Sequence, residues 1–350
     1  MLSKKTKGLF VEVNGFSCHV AAVTGMVPPF TIESVHEFAR QNPEKLVSFL
    51  GGESSTRRNR YINAHCGIVP DSRFFRLHIL ESMAKAKDPE YFFQLLEEQF
   101  RVDSRSARFS VLSAQSGMPF DASKPLGSQK ELLFCGAEAK ELATFQDSLV
   151  ESGVYPQSLQ LSTLSSIAAL KYYLQGKAID APVLLIEMAR DSANLFILTR
   201  EKIDLCRPVN FGFDAVLPVI QKELGLKDEA SARNLFFSNT FDFREIGPRL
   251  LARFLKELNS STGFYEVQTG QTIPFLYMTS LPETLEWIPE VIASELEIGL
   301  LDIDWEGWAA DLGISFGDAC SVADFGPSRF GLFSLFLNFQ KLKDGSREEN

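Results

Sequence analysis

No stretch of this 350-residue chain holds about 18 uninterrupted apolar residues, so no membrane-spanning helix is expected. Gly-x-x-x-x-Gly-Lys-Ser/Thr is missing as well, which excludes the common loop whose backbone N–H groups cradle a nucleotide's phosphates. The hydrolase elbow Gly-x-Ser-x-Gly is absent; Gly15-Phe16-Ser17-Cys18-His19 fails at its last position. Cysteine is sparse. Cys18, Cys66, Cys135, Cys206 and Cys320 are odd in number and widely spaced, which argues against a disulfide framework or a zinc knuckle and reads as buried thiols in a reducing compartment. His65 and Cys66 are neighbours on a predicted strand, so they point to opposite faces and cannot share a metal. The four histidines (His19, His36, His65 and His78) stand alone on strands and read as satisfied core or surface groups, not as a catalytic base. No metal site and no catalytic residue are expected.

Positive charge is also in short supply. With 35 basic against 45 acidic residues the net charge is −10, which repels polyanions on average. Arg57-Arg58-Asn59-Arg60, with Lys4, Lys5 and Lys7 behind it, is the one candidate basic patch and reads as a solvated loop, so nucleic acid is not an expected partner. Met1 to Lys7 is short and basic but runs into Gly8-Leu9-Phe10-Val11-Glu12, so no secretory leader is expected. These readings place the chain in the cytoplasm.

Phenylalanine, in contrast, is abundant. Its 30 copies, many in pairs such as Phe74-Phe75 and Phe236-Phe237, predict a large core. Leu9–Val13 and Ser17–Val23 read as strands joined by Asn14-Gly15, a strong hairpin signal, with Thr31–Phe38 completing a meander. A helix over 43–50, capped by Asn42, and strands over 60–66 and 74–80 follow. Then come a helix over 89–100, strands over 107–114 and 131–135, and a helix over 137–151. A break at Gly153-Val154-Tyr155-Pro156 precedes a helix over 163–174. Beyond a hinge-like Gly176–Pro182, a second three-strand meander opens over 183–187, 193–199 and 202–209. Helices over 214–224, 228–236 and 244–261, a strand over 274–279, a helix over 282–296 and a strand over 298–302 come next. Glu295, Glu297, Asp302, Asp304 and Glu306, with Trp305 and Trp308, read as an exposed edge with anchoring tryptophans, the alternative being a dock for a basic partner. A final helix over 328–342 is apolar on almost every side and reads as buried. Each half thus begins with a strand meander and continues into helices, which points to a duplicated α/β fold.

The second meander, Val183-Leu184-Leu185-Ile186-Glu187-Met188-Ala189 to Leu198, continues through Asn210-Phe211-Gly212-Phe213-Asp214. It resembles the second-lobe entry of the actin-like PilM family of type IV pilus assembly proteins. Leu9–Val20, Ile68–Leu77, Leu132–Pro156 and Ile273–Leu285 resemble further segments of that family in the same order. The resemblance implies an α/β, duplicated actin-like (ribonuclease H-like) two-lobed fold with an inserted small α/β subdomain. It gives a first lobe over 1–178 with the insertion at about 88–149 and closure by helix 328–342, and a second lobe over 181–327.

The departures from that family carry the functional expectation. Phosphate hairpins use glycine because backbone N–H groups must approach phosphate oxygens where a Cβ would intrude. Here Glu12-Val13-Asn14 puts Asn14 in the glycine position, with Gly15 one step late, and the family's later Lys corresponds to Cys18 or His19. In the second hairpin Glu187-Met188-Ala189 replaces Asp-Ile-Gly, and Ala193-Asn194 fall where Thr would be. The adenosine loop Ser-Gly-Gly is replaced by Ser280-Leu281-Pro282, so Leu281 is expected to project towards the base. Glu12 and Glu187 keep a negative charge where a metal-holding Asp would stand, and otherwise read as strand-end carboxylates facing a wet cleft. The implied protein is a pseudo-ATPase scaffold without cofactor, at the inner face of the cytoplasmic membrane. Its implied partner is the short cytoplasmic tail of a bitopic inner-membrane assembly protein, held by the first lobe. The alternative is an active ATPase that uses ATP and Mg²⁺ through unusual loops.

Overall fold

The computed structural model describes residues 7–25, 28–40, 43–54, 61–88, 90–125, 127, 130–238 and 240–337. Arg57–Arg60, the expected cap Asn42 and the expected final helix beyond 337 lie outside the described residues. In chain order the strands and helices open with β1 (Lys7–Val13), β2 (Ser17–Thr24), β3 (Phe30–Ala39), α1 (Pro43–Ser54), β4 (Ile62–Ile68) and β5 (Phe74–Ile79). They continue with α2 (Met83–Ala86), α3 (Tyr91–Gln94), β6 (Ala107–Ser113), β7 (Glu131–Glu138), α4 (Ala139–Glu151), β8 (Val154–Leu161) and α5 (Ser162–Gly176). The second meander is β9 (Val183–Met188), β10 (Ala193–Leu198) and β11 (Ile203–Val209), followed by α6 (Leu217–Glu223), α7 (Glu229–Phe237), α8 (Gly247–Leu250) and α9 (Ala252–Thr269). Last come β12 (Phe275–Thr279), α10 (Trp287–Glu295), β13 (Gly299–Leu300), α11 (Trp305–Asp311), β14 (Ile314–Phe316) and α12 (Phe330–Ser334).

Contacts divide the chain into two units, Met1–Pro70 with Glu141–Ala169 and Ile303–Asn350, and Asp71–Lys140 with Leu170–Asp302. The first holds a six-stranded sheet ordered β14-β3-β2-β1-β4-β8. Its meander β1-β2-β3 is antiparallel, whereas β4 runs parallel to β1 and β8 parallel to β4. The second holds a five-stranded sheet ordered β11-β10-β9-β12-β13, again an antiparallel meander with two parallel strands added beside its first member. Setting β14 aside, the two sheets have the same order and the same sense of pairing. The duplication expected from the two meanders is present in the topology.

A separate three-stranded sheet, β5-β7-β6, belongs to the second unit. Phe74, Leu80, Leu96, Leu132 and Phe134 form its core, with Phe92, Phe100 and Phe120 packed against them. The insertion therefore runs from about Asp71 to Lys140, not 88–149, and contacts group it with the second half of the chain instead of the first. The physical reason is pairing: β5 hydrogen-bonds to β7 along its whole length, and Phe75 packs edge-on against Phe196 of β10.

Three further corrections concern local structure. The expected break at Gly153–Pro156 is the start of β8, an edge strand paired only to β4; an edge tolerates Pro156 because its missing N–H need not face a neighbour. Residues 305–316, for which no element was expected, form α11 and β14, while Glu295, Glu297, Asp302, Asp304 and Glu306 are exposed as read. Asp304 caps α11 by accepting from Gly307 N–H at 2.9 Å, and Trp308 is buried against Phe330 and Phe333. The final helix is short, Phe330–Ser334, and its Phe330 and Phe333 are fully buried, as its all-round apolar pattern predicts.

Candidate functional site

The first candidate position is the tip of β1-β2. Asn14 N–H donates to Ser17 O at 3.0 Å to close the turn. The Asn14 side chain folds back into the same turn, where Oδ1 accepts from Phe16 N–H and Ser17 N–H, both at 2.9 Å. An asparagine in this role satisfies its own turn. The consequence is chemical: these two donors, which a phosphate hairpin would aim at its ligand, are already bonded. Gly15 has open space around it and no left-handed backbone angle, so it does not restore the missing glycine approach.

Glu12 lies two residues before Asn14 and is fully buried (0 % exposed), so it does not face a wet cleft. Cross-strand register places it opposite His19, whose Nδ1 lies 3.0 Å from Glu12 Oε2. On its other side His19 Nε2 reaches Ser17 Oγ at 3.0 Å and Glu37 Oε1 at 3.7 Å. Glu37 in turn meets Arg329 Nη2 at 3.2 Å. Burial alone would push His19 down, but its contacts with Glu12 and Glu37 outweigh that and raise it to about 9. His19, chiefly through its hydrogen bond, holds Glu37 down at about 2. His19, one of the two residues that fall where the family has its lysine, is thus held between two carboxylates.

Beside this chain, α12 closes on the strand ends. A Cβ at Gly331 would overlap the Glu12 carboxylate, and one at Gly67, in register with Glu12 on β4, would meet Ser162 Oγ at 2.4 Å and Leu335 at 2.9 Å. Among the described residues, buried Glu12 Oε1, Ser162 Oγ and Thr163 Oγ1 have no hydrogen-bond partner.

The second position is the β9-β10 hairpin. Glu187 is the penultimate residue of β9, as Glu12 is of β1, and is 2 % exposed. Arg73 Nε donates to Glu187 Oε1 at 2.6 Å, and Arg73 Nη2 also approaches that oxygen. Both side chains are buried, so the acid's charge is balanced inside the chain. The tip is covered by the following segment: Phe213 N–H donates to Ala189 O at 3.0 Å and Asp214 N–H to Arg190 O at 2.7 Å. That approach needs Gly212, whose Cβ would lie 2.5 Å from the Arg190 carbonyl. Asp214, aligned with the family's Gly-Gly-Asp, meets Arg233 at 2.9 Å and Arg190 at 3.3 Å.

The third position follows β12. Thr279 stands beside Glu187 in the parallel register. Ser280 has φ +56°, a left-handed angle that glycine adopts without strain and serine does not. Leu281 is buried, a packed side chain instead of one projecting into open space. Arg73 is the residue that sequence reasoning missed; in the polar turn Asp71-Ser72-Arg73 before Phe74-Phe75 it reads as an ordinary solvated base.

The five cysteines are all free thiols, and burial pushes Cys18, Cys66 and Cys135 up to about 12. Among the described residues no group of three or more His, Cys, Asp or Glu could hold a metal ion. No helix among them is long and apolar enough to cross a membrane.

No family model matches the chain, and no curated protein matches it. Solved structures do. A chain of the PilM-PilN type IV pilus biogenesis complex superposes with a TM-score of 0.69 at 14 % identity, covering 95 % of this chain and 98 % of that one. A Bacteroides thetaiotaomicron protein with an actin-like ATPase fold and unknown function gives 0.42 at 9 % identity, over 85 % and 91 %. The cytoplasmic domain of EpsL, an inner-membrane component of the type II secretion system of Vibrio cholerae, gives 0.42 at 11 % identity, over 94 % of each chain. The last two scores are too low to argue from. The first, with the repeated sheet order, shows that this chain has a duplicated actin-like α/β fold shared with a chain of that complex.

Proposed function

We propose that this protein is a non-catalytic actin-like scaffold that docks the cytoplasmic tail of an inner-membrane partner in a type IV pilus or type II secretion-like assembly. One observation supports it above the rest: the groups that would hold a nucleotide's phosphates and metal are engaged within the chain. Asn14 Oδ1 occupies the Phe16 and Ser17 N–H groups, and Arg73 neutralises Glu187. A nucleotide would have to displace a side-chain cap from one hairpin and a buried ion pair from the other, and breaking such a pair costs about 3–5 kcal/mol. These residues do not fit ATP–Mg²⁺. The likeness to a chain of the PilM-PilN complex supports the class of partner and a place at the inner face of the cytoplasmic membrane.

Phosphate release from ATP with Mg²⁺ by the purified chain tests the first half, and none above background is expected. Affinity purification from solubilised membranes tests the second: a protein with one membrane span and a short cytoplasmic tail is expected, binding directly when the tail is supplied as a peptide. Recovery of soluble proteins alone would remove the assembly reading.

The alternative, a working ATPase with unusual loops, would use Glu12 Oε1, Ser162 Oγ and Thr163 Oγ1, buried oxygens of the first unit that have no hydrogen-bond partner among the described residues. It requires turnover, lost in Glu12→Gln.

A further inference from the structure

Within the second unit the inserted sheet β5-β7-β6 meets the second meander at both of its ends. At one end Arg73, just before β5, bonds Glu187 beside the β9-β10 tip. At the other end Lys202, in the β10-β11 turn, places Nζ 3.0 Å from both carboxylate oxygens of Glu131, the first residue of β7. Ile203 N–H, next in the chain, donates to Ala114 O just past β6 at 3.3 Å. Between the two ends Phe75 packs edge-on against Phe196. A third element joins at the Glu131 end. Lys171 lies on the stretch of α5 that belongs to this unit, and its Nζ donates to Gln115 O at 2.7 Å, Glu201 O at 3.0 Å and Ala114 O at 3.5 Å. One ammonium thus ties the loop after β6 to the β10-β11 turn, segments far apart in sequence.

From this arrangement we propose that Lys171 is a latch: it fastens the insertion to the second repeat, so that the two open and move as one body. An ammonium carries three N–H donors and a full charge, and its bonds to carbonyls are stronger than those of a neutral donor. Lys202 and Glu131 contribute less, because their side chains are 37 % and 39 % exposed and water and salt screen them. The loop's own bonds, Gly117 N–H to Ser113 O and Ser113 N–H to Met118 O, stay inside the insertion and fasten it to nothing else. Loss of the Lys171 charge therefore removes the cation that Gln115 O and Glu201 O share, while the fold of the insertion, built on Phe74, Leu96, Leu132 and Phe134, is left intact. Latched in this way, the insertion is a fixed shelf of the second repeat, and a partner seated on it acts directly on the β10-β11 turn.

Native-state hydrogen exchange of the full chain, followed peptide by peptide in a mass spectrometer over a series of low urea concentrations, reads such cooperative units directly. In the wild type, peptides of β6 and β7 are expected to exchange through the same opening as those of β9 and β10, with the same urea dependence. Lys171→Met keeps the apolar stem and removes the ammonium. It is expected to speed exchange in β6 and β7 roughly tenfold or more and to leave β9 and β10 unchanged, because the insertion then opens alone. Lys202→Met, at the exposed pair, is expected to have the smaller effect. A wild-type insertion that opens by itself overturns the proposal. So does a Lys171→Met chain whose two parts still open together, or an effect of Lys202→Met as large as that of Lys171→Met.

Discussion

Arg73 and Glu187 stand 114 positions apart and meet in the interior of the second unit. A buried pair is expensive to half-remove, because the surviving charge has no water and no partner. Arg73→Met is therefore expected to lower the unfolding free energy by about 3–5 kcal/mol in urea titrations, and Arg73→Met with Glu187→Leu to recover most of that loss. At Ser280 the expectation has the opposite sign. Relief of its left-handed angle by Ser280→Gly is expected to raise stability by about 0.5–1 kcal/mol, read from the same titration midpoint. The altered residues themselves were legible in the sequence, since Asn14, Ala189 and Leu281 stand where glycine is needed. How the chain's own groups fill those places was not legible. That Asn14 would turn its own oxygen into the hairpin, and that Arg73 would reach Glu187, depends on long-range geometry that carries no local pattern.

Between elements, the link that joins β1, β2, β3 and the approach to α12 runs through Glu12, His19, Glu37 and Arg329. Its pH dependence follows from two displaced groups. His19 is raised from 6.5 to about 9, so the stability it contributes is complete below pH 6.5 and is lost as pH climbs through 9. Glu37 is lowered from 4.5 to about 2, so its share is present above pH 4.5 and is lost as pH falls towards 2. Both act together between pH 4.5 and 6.5. Thermal or urea unfolding is expected to show a loss of about 3 kcal/mol between pH 6.5 and 9, and His19→Gln to flatten that alkaline limb. Close packing of α12 carries its own expectation. Gly331→Ala forces a methyl group onto the Glu12 carboxylate and is expected to cost about 1–3 kcal/mol by overpacking. Alternating hydrophobicity and Asn14-Gly15 made the first meander readable. β8 escaped because Pro156 resembles a terminator until its edge position is known, and α11 escaped because seven residues carry too little helical periodicity, although its exposed acids and its anchoring Trp308 were both readable.

For the molecule as a whole, the repeated order of β3-β2-β1-β4-β8 and β11-β10-β9-β12-β13 was foreshadowed by the two meanders alone. The grouping of residues 71–140 with the second half was not, since a chain that leaves one unit to complete another gives no sign of it in composition. Glu12 and Glu187 occupy equivalent places in the two repeats, and each is bound to a basic side chain of its own unit, His19 or Arg73. Each of these acids is thus matched by a different base within its own unit. Isothermal titration of the full chain with ATP and Mg²⁺ measures this most directly. The account predicts no heat beyond dilution, whereas saturable binding in the micromolar range would contradict it.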